Sequence, residues 1–211
     1  MSKNRLNTQV VEHADEELEA PLITRVAICH LKSIAPYSQS RHITEEQLPG
    51  ENPVAYEERC WRHRLHVNSD NYVMIPPTSF TASIAEAAKF LGMPIPGKAR
   101  QTFTKHFESG VRVLEPLVLP LHPENVQAES LFLNADGKRG SGKRVTRYYP
   151  RIESWEGEVQ YWCFDPVITE AAFLKAITAS GSLIGIGRFR PRNLGFYGRF
   201  EVLDFQWRDG F

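Results

Sequence analysis

The sequence predicts an α+β fold, a sheet with helices returning between its strands, and three observations carry that expectation. Residues 78–91 hold Phe80, Ile84, Ala87, Ala88 and Leu91 at the spacing of one helix face. Runs rich in β-branched and apolar residues stand before and after that helix, between residues 22 and 207. Hydrophobic residues make up 42% and charged residues 24% of the 211, a balance that lets a chain of this length bury a sizeable core.

The elements follow in order. "LITRVAICHL" (22–31) reads as a buried first strand, and "KSIAPYSQSRHI" as a polar loop carrying Lys32, Tyr37 and Arg41. "PVAYEERCWRHRLHV" begins helix-like and ends in alternation, and "YVMIPP" is a short strand stopped by its prolines. The amphipathic helix then opens at Thr78 or Ser79, either of which could cap it, and stops at Gly92. "TFTKHFESG" is a short helix or turn, and "VRVLEPLVL" a strand. After an excursion over 122–155, "EVQYWCFD" is the next strand. Asp165-Pro166 sets up a second helix, with proline suited to its first position. Phe173, Leu174 and Ile177 supply its buried face and Gly181 its stop. "GIGRFRPRNLGFYGRF" is a glycine- and arginine-rich loop feeding the last strand, "RFEVLDFQW".

This order is that of a modified ferredoxin-like (RRM-like) βαββαβ core. Residues 21–211 would form one domain with insertions at 33–76 and 122–155, the second a long basic hairpin. Such sheets present one open face, which many of these folds use for nucleic acid. Residues 1–20 hold Glu12, Asp15, Glu16, Glu17 and Glu19 against only Lys3 and Arg5. They read as an acidic, poorly ordered tail, or as a segment that enters a basic groove on a neighbouring subunit.

Composition removes several classes. Cys29, Cys60 and Cys163 are odd in number and widely spaced, which argues against a disulfide framework and for a cytoplasmic location. No apolar run is long enough to span a bilayer, so no membrane partner is expected. No cofactor is expected either.

Gly137, Gly142 and Lys143 match three positions of the phosphate-loop pattern, but Arg144 stands where the magnesium-binding hydroxyl belongs. The following "VTRYYPR" is strand-like where that motif needs a helix, so nucleotide hydrolysis is disfavoured. A charge reading fits better. Lys138, Arg139, Lys143, Arg144, Arg147 and Arg151 lie in a stretch free of acids, with Tyr148 and Tyr149 among them. Bases interleaved with aromatics suit phosphate contact and base stacking. A second acid-free segment carries Arg188, Arg190, Arg192 and Arg199 among glycines that let a backbone approach closely. Arg190 occupies the third glycine position of a dinucleotide fingerprint, which disfavours that site. Cys60, His63 and His66 are spaced awkwardly for zinc. Ser79, Thr104 and His106 belong to no nucleophile motif, and no paired carboxylates stand out.

"VMIPPTSFTASIAEAAKFL" resembles the signature of the RAMP superfamily of CRISPR effector subunits: a strand ending in Ile-Pro, a serine, and a helix opening toward RNA. "GIGRFRPRNLGFYGRFEV" resembles the superfamily's glycine-rich loop before its last strand, and is also similar to the ending of certain phage-type proteins. The resemblance implies a backbone-type subunit on single-stranded RNA (or DNA), a guide RNA included, with copies of itself in a filament-like assembly and other effector-complex subunits as partners. Residues 122–151 would be its projecting "thumb", and Ser79, Tyr37 and Arg41 would join the basic segments at the RNA. Cleaving members carry an Asp in the loop after the first strand. "KSIAPYSQSRH" has no carboxylate, so the implied subunit is not an enzyme. Two alternatives stand beside it: a phage or mobile-element protein that binds single-stranded DNA or acts through protein contacts as an inhibitor or assembly factor, and a metal-dependent nuclease using Cys60, His63, His66 and His106.

Overall fold

The computed structural model describes residues 24–98, 100–135 and 142–209; the acidic run, Lys138 and Arg139 lie outside them. Along the chain come β1 (Arg25–Ser33), α1 (Pro53–Cys60), a 3-10 turn (Trp61–Arg64), β2 (Met74–Ile75) and α2 (Pro77–Leu91). Then follow α3 (Thr104–Gly110), β3 (Val111–Val113), β4 (Leu117–Val118), β5 (Gln127–Asn134) and β6 (Arg144–Arg151). β7 (Glu156–Cys163), α4 (Glu170–Ala179) and β8 (Phe200–Asp209) complete the chain. Four strands form one sheet in the order β3-β7-β1-β8, every neighbouring pair antiparallel. β2 pairs with β4, and β5 with β6, in two small antiparallel sheets. The architecture is mixed α/β, with antiparallel sheets.

Strand alternation decides the layering. Ala27, Cys29 and Leu31 of β1 and Val159, Tyr161 and Cys163 of β7 point to one side, where Phe80, Ile84 and Ala88 of α2 meet Phe173, Ala176 and Ile177 of α4. Phe173 lies at the centre, its ring 5.4 Å from Tyr161, 5.5 Å from Trp207 and 6.0 Å from Phe205. Burial of this kind stabilises by roughly 25 cal/mol per Å² of apolar surface and is the main force holding helices to sheet. The cysteines are free and buried, and burial pushes the Cys163 thiol up to about 12.

The other side of the sheet departs from expectation. Register puts Lys32 between Glu156 and Glu201, and His30 between Glu158 and Asp204. His30 bonds Glu156 at 2.9 Å and Lys32 lies 3.3 Å from the same carboxylate. Four carboxylates therefore surround the basic residues at the middle of this face, with Arg208 and Arg112 farther along it, which weakens its pull on phosphate.

Local details also differ. α2 is capped by neither Thr78 nor Ser79: its N-cap is Pro76, and Pro77 takes the first helical position, where a missing N–H costs nothing. Its stop is as read, Gly92 turning left-handed at φ 54°. "VRVLEPLVL" is two strands, β3 and β4, separated at Leu114, Glu115 and Pro116, because proline cannot donate to a ladder. α4 starts four residues after Pro166, capped by Thr169, whose Oγ accepts from the Ala172 N–H at 3.2 Å. Asp165 instead forms a turn, its Oδ1 accepting from the Val167 N–H at 2.9 Å. Leu174 is exposed, and Ala172 and Ala176 take its expected place on the buried face. Gly181 does not end α4; the helix loosens into a wider π-turn over Ser180–Ile184 and stops at Gly185.

β5 and β6 form the hairpin of the 122–155 insertion, paired from Gln127↔Arg151 to Asn134↔Arg144. Its base is tied to α1 and the 3-10 turn through one carboxylate. Glu57 is buried, accepts from Arg64 at 2.9 and 3.1 Å and from Arg147, and takes the Tyr148 N–H at 3.4 Å.

Candidate functional site

A groove of about 470 Å³ opens where three segments meet: the loop after β1, the start of α2, and the glycine-rich loop between α4 and β8. Tyr37, Gln39 and Ser40 line it from the first, Thr78, Ser79 and Ala82 from the second, and Gly187, Arg188, Arg190 and Asn193 from the third; His66 closes one side.

The floor is built by close backbone approach. Gly187 sits at φ 70° directly over Tyr37, where any Cβ would run into the phenol ring, so only glycine fits. The Arg188 N–H donates to the Ser38 carbonyl at 2.9 Å and the Gly198 N–H to the Pro36 carbonyl at 2.7 Å, which lays the loop along the β1 extension. From the helix side, the buried Ser83 hydroxyl donates to the Gly185 carbonyl at 2.9 Å and lies 2.7 Å from the Ser180 hydroxyl.

Beneath the rim, Gln39 is buried and joins three segments. Its Nε2 donates to the Met74 carbonyl at 2.8 Å and to the Tyr37 hydroxyl at 3.3 Å, while its Oε1 accepts from the His66 N–H at 2.6 Å. Burial pushes the Tyr37 hydroxyl up to about 12, against the opposing hydrogen bonds with Gln39 and Ser79, so it stays neutral. Burial, and then the neighbouring Arg41, lower the His66 pKa, which leaves a neutral imidazole on the groove at pH 7.

Arg188 dominates the electrostatics. Its guanidinium is half-buried, with the Tyr149 ring centre at 3.5 Å and that of Phe189 at 4.4 Å. Its Nε has no hydrogen-bond partner, and no carboxylate lies within ion-pairing distance of it among the described residues. Desolvation lowers its pKa, yet an arginine stays charged at any physiological pH. Arg41 is exposed, close enough to His66 to act on its titration, and likewise without a carboxylate among the described residues.

The other expected site residues fall elsewhere. Arg190 lines the groove but pairs with Glu86 of α2 at 3.0 Å, and Arg192 holds the same carboxylate at 2.7 Å. Arg147 serves Glu57, and Arg151 is held by Glu153 at 2.8 Å and Glu129 at 3.5 Å. Tyr149 is buried under Arg188 and Arg64, so its ring has no open face for a base. Tyr148 packs on the core and donates from its hydroxyl to Glu58 at 2.8 Å. Tyr37 is floor and not surface. Arg199 stands over Phe196 at 5.3 Å, outside the groove lining. Lys143 and Arg144 are exposed at the far end of the hairpin, Arg144 6.0 Å from the Phe132 ring.

The two acid-free segments do come together. Tyr149 of β6 meets Phe189 edge-on at 6.1 Å, and the Tyr197 hydroxyl donates to Glu129 of β5 at 2.8 Å. The hairpin base thus adjoins the groove at Arg188. Gln39, His66 and Asn193 are groove residues that sequence reading did not assign to the site. The polar run "SQS" straight after the first strand was the available signal for Gln39. Among the described residues, no group of three or more His, Cys, Asp or Glu is placed to hold a metal ion, and no helix is long and apolar enough to cross a membrane.

No family model and no curated protein matches the chain. Among solved structures it is similar to Cmr6 from Pyrococcus furiosus, at 11% identity over 86% of this chain and 98% of that one, with a TM-score of 0.45. It is similar to a chain of the type III-B Cmr-beta complex bound to cognate target RNA, at 10% identity over 89% of this chain and 62% of that one (TM-score 0.44). A chain of a CRISPR RNA-guided surveillance complex aligns at 10% identity over 85% of this chain and 66% of that one, with a TM-score of 0.37.

Proposed function

We propose that the chain is a non-catalytic nucleic-acid-binding subunit that holds the phosphate backbone of single-stranded RNA in the groove between α2 and the glycine-rich loop. The observation that carries this reading is Arg188, a half-buried guanidinium that lines a groove and has neither a carboxylate partner nor a hydrogen bond at Nε. A buried cation is costly unless an anion meets it, and a phosphate matches a guanidinium's fork. Arg41 at the rim and the hydroxyls of Thr78 and Ser79 at the start of α2 add donors to the same space.

Several features support the finer reading of a RAMP-type backbone subunit. The strand order β3-β7-β1-β8, with α2 leading from β1 toward β3 and α4 from β7 to β8, is the order a ferredoxin-like core requires. The groove joins the start of the helix in "VMIPPTSFTAS" to the glycine-rich loop, the two segments that carry the resemblance. In this reading the β5–β6 hairpin is the thumb. In this reading copies of the chain or other subunits of a ribonucleoprotein complex are its partners. The loop from Ile34 to His42 offers no carboxylate for cleavage.

The test is a fluorescence polarisation titration with single-stranded RNA and DNA of one sequence at several salt concentrations. Binding that weakens steadily with salt is expected, with Arg188→Ala costing about tenfold or more, the loss of one charge-assisted contact. No binding at low salt, or a flat salt response, overturns the reading.

A further inference from the structure

The acidic run Glu12, Asp15, Glu16, Glu17 and Glu19 has no part in the function proposed above. It carries the charge opposite to that of the groove. We propose that residues 1–20 of one copy are an anionic ligand for the groove of a second copy, where they compete with nucleic acid for Arg188 and Arg41. This inference rests on the same reading of the groove as an anion site.

Carboxylate and phosphate offer a guanidinium the same acceptor chemistry. Of the two arginines that line the groove, Arg190 already holds a carboxylate, so Arg188 is where an acid entering the groove gains most. Lys143 and Arg144 are also unpaired by acids among the described residues, but like Arg41 they are exposed, where an ion pair is worth little, so the half-buried Arg188 is the anchor.

Reach decides between a chain's own groove and its neighbour's. β1 runs from Arg25 to Ser33, and the groove opens past its far end at Tyr37. At about 3.3 Å per residue the strand alone spans roughly 26 Å. Glu19 stands five residues before Thr24 and Glu17 seven, so a fully extended chain carries them at most ~18 and ~25 Å. Glu16 reaches at most ~29 Å, little beyond the strand's own length. Glu17 and Glu19 therefore cannot reach their own groove, whereas a second copy's groove can take the whole run.

The experiment uses the full chain with the run neutralised (Glu12→Gln, Asp15→Asn, Glu16→Gln, Glu17→Gln, Glu19→Gln) and a fluorescein-labelled peptide of residues 1–20. Polarisation at low salt should show the peptide binding this variant. Adding Arg188→Ala should weaken it about tenfold, as should, to a lesser degree, Arg41→Ala at the exposed rim. An unlabelled single-stranded RNA should displace the peptide. Sedimentation of the unaltered chain should show self-association that the neutralised chain lacks. Peptide that does not bind, or that binds equally well without Arg188 and Arg41, overturns the inference. RNA binding by the neutralised chain without peptide binding defeats this inference alone. Peptide binding without RNA binding defeats the proposed function and the competition with it, and leaves residues 1–20 as the ligand of the groove.

Discussion

At the scale of single residues, the groove carries a titratable reporter. His66 is unprotonated at neutral pH because burial and Arg41 disfavour its charged form. A phosphate in the groove favours the imidazolium, Arg41 opposes it, and no carboxylate among the described residues lines the groove beside His66. RNA affinity is therefore expected to rise as pH falls from 7.5 toward 5.5, and a His66→Asn chain should lose that rise; polarisation across pH checks it. Stability runs the other way. The folded His66 pKa lies below its unfolded value of about 6.5, so the unfolded chain binds more protons and stability falls as pH drops below that value. The sequence displayed His66, but beside Cys60 and His63 it read as a metal question. Its role depends on Gln39, twenty-seven positions away, which takes its backbone N–H. No local pattern marks a buried glutamine that bridges three segments.

At the scale of elements, Glu57 decides how the hairpin meets the body. Burial pushes its carboxyl up, but hydrogen bonds from Arg64 and Arg147 outweigh that and hold it below the usual carboxylate range. Glu57→Gln leaves two guanidiniums without their shared anion. It is expected to cost about 3 kcal/mol, the scale for breaking a buried pair, in urea unfolding. The same variant should speed hydrogen exchange at the β6 amides from Arg147 to Tyr149 more than at β7. As the folded pKa is depressed, this contribution is present above about pH 4.3 and is lost as pH falls further. Helix α2 was legible because five apolar residues repeat on one face; its cap was not, because Pro76 and Pro77 displaced two better capping residues by tertiary context. The arginines were legible as charges. Their assignments were not, since Glu57 and Arg147 stand ninety positions apart and only the fold pairs them.

At the scale of the whole molecule, charge is sorted between two surfaces. The open sheet face carries Glu156, Glu158, Glu201 and Asp204 around His30 and Lys32, with Arg112 and Arg208 toward one end, while the groove is lined by Arg188 and Arg190 and by no carboxylate among the described residues. Lys32→Ala and Arg208→Ala are thus expected to leave RNA affinity within about twofold, as neither lines the groove. A loss comparable to that of Arg188→Ala would move the binding surface to the sheet. Composition alone gives a net charge of zero and hides this division, which appears only once strand parity assigns each residue a side.

The pairing of Arg190 and Arg192 with one carboxylate of α2 has a thermodynamic consequence. Glu86 acts as a built-in counterion, held permanently where a dissolved anion would otherwise exchange. A phosphate approaching these two arginines meets one net charge in place of two, and gains less from displacing mobile ions than the arginine count implies. The salt slope of binding therefore measures the guanidiniums left free by the fold, and not the number that the glycine-rich loop contains.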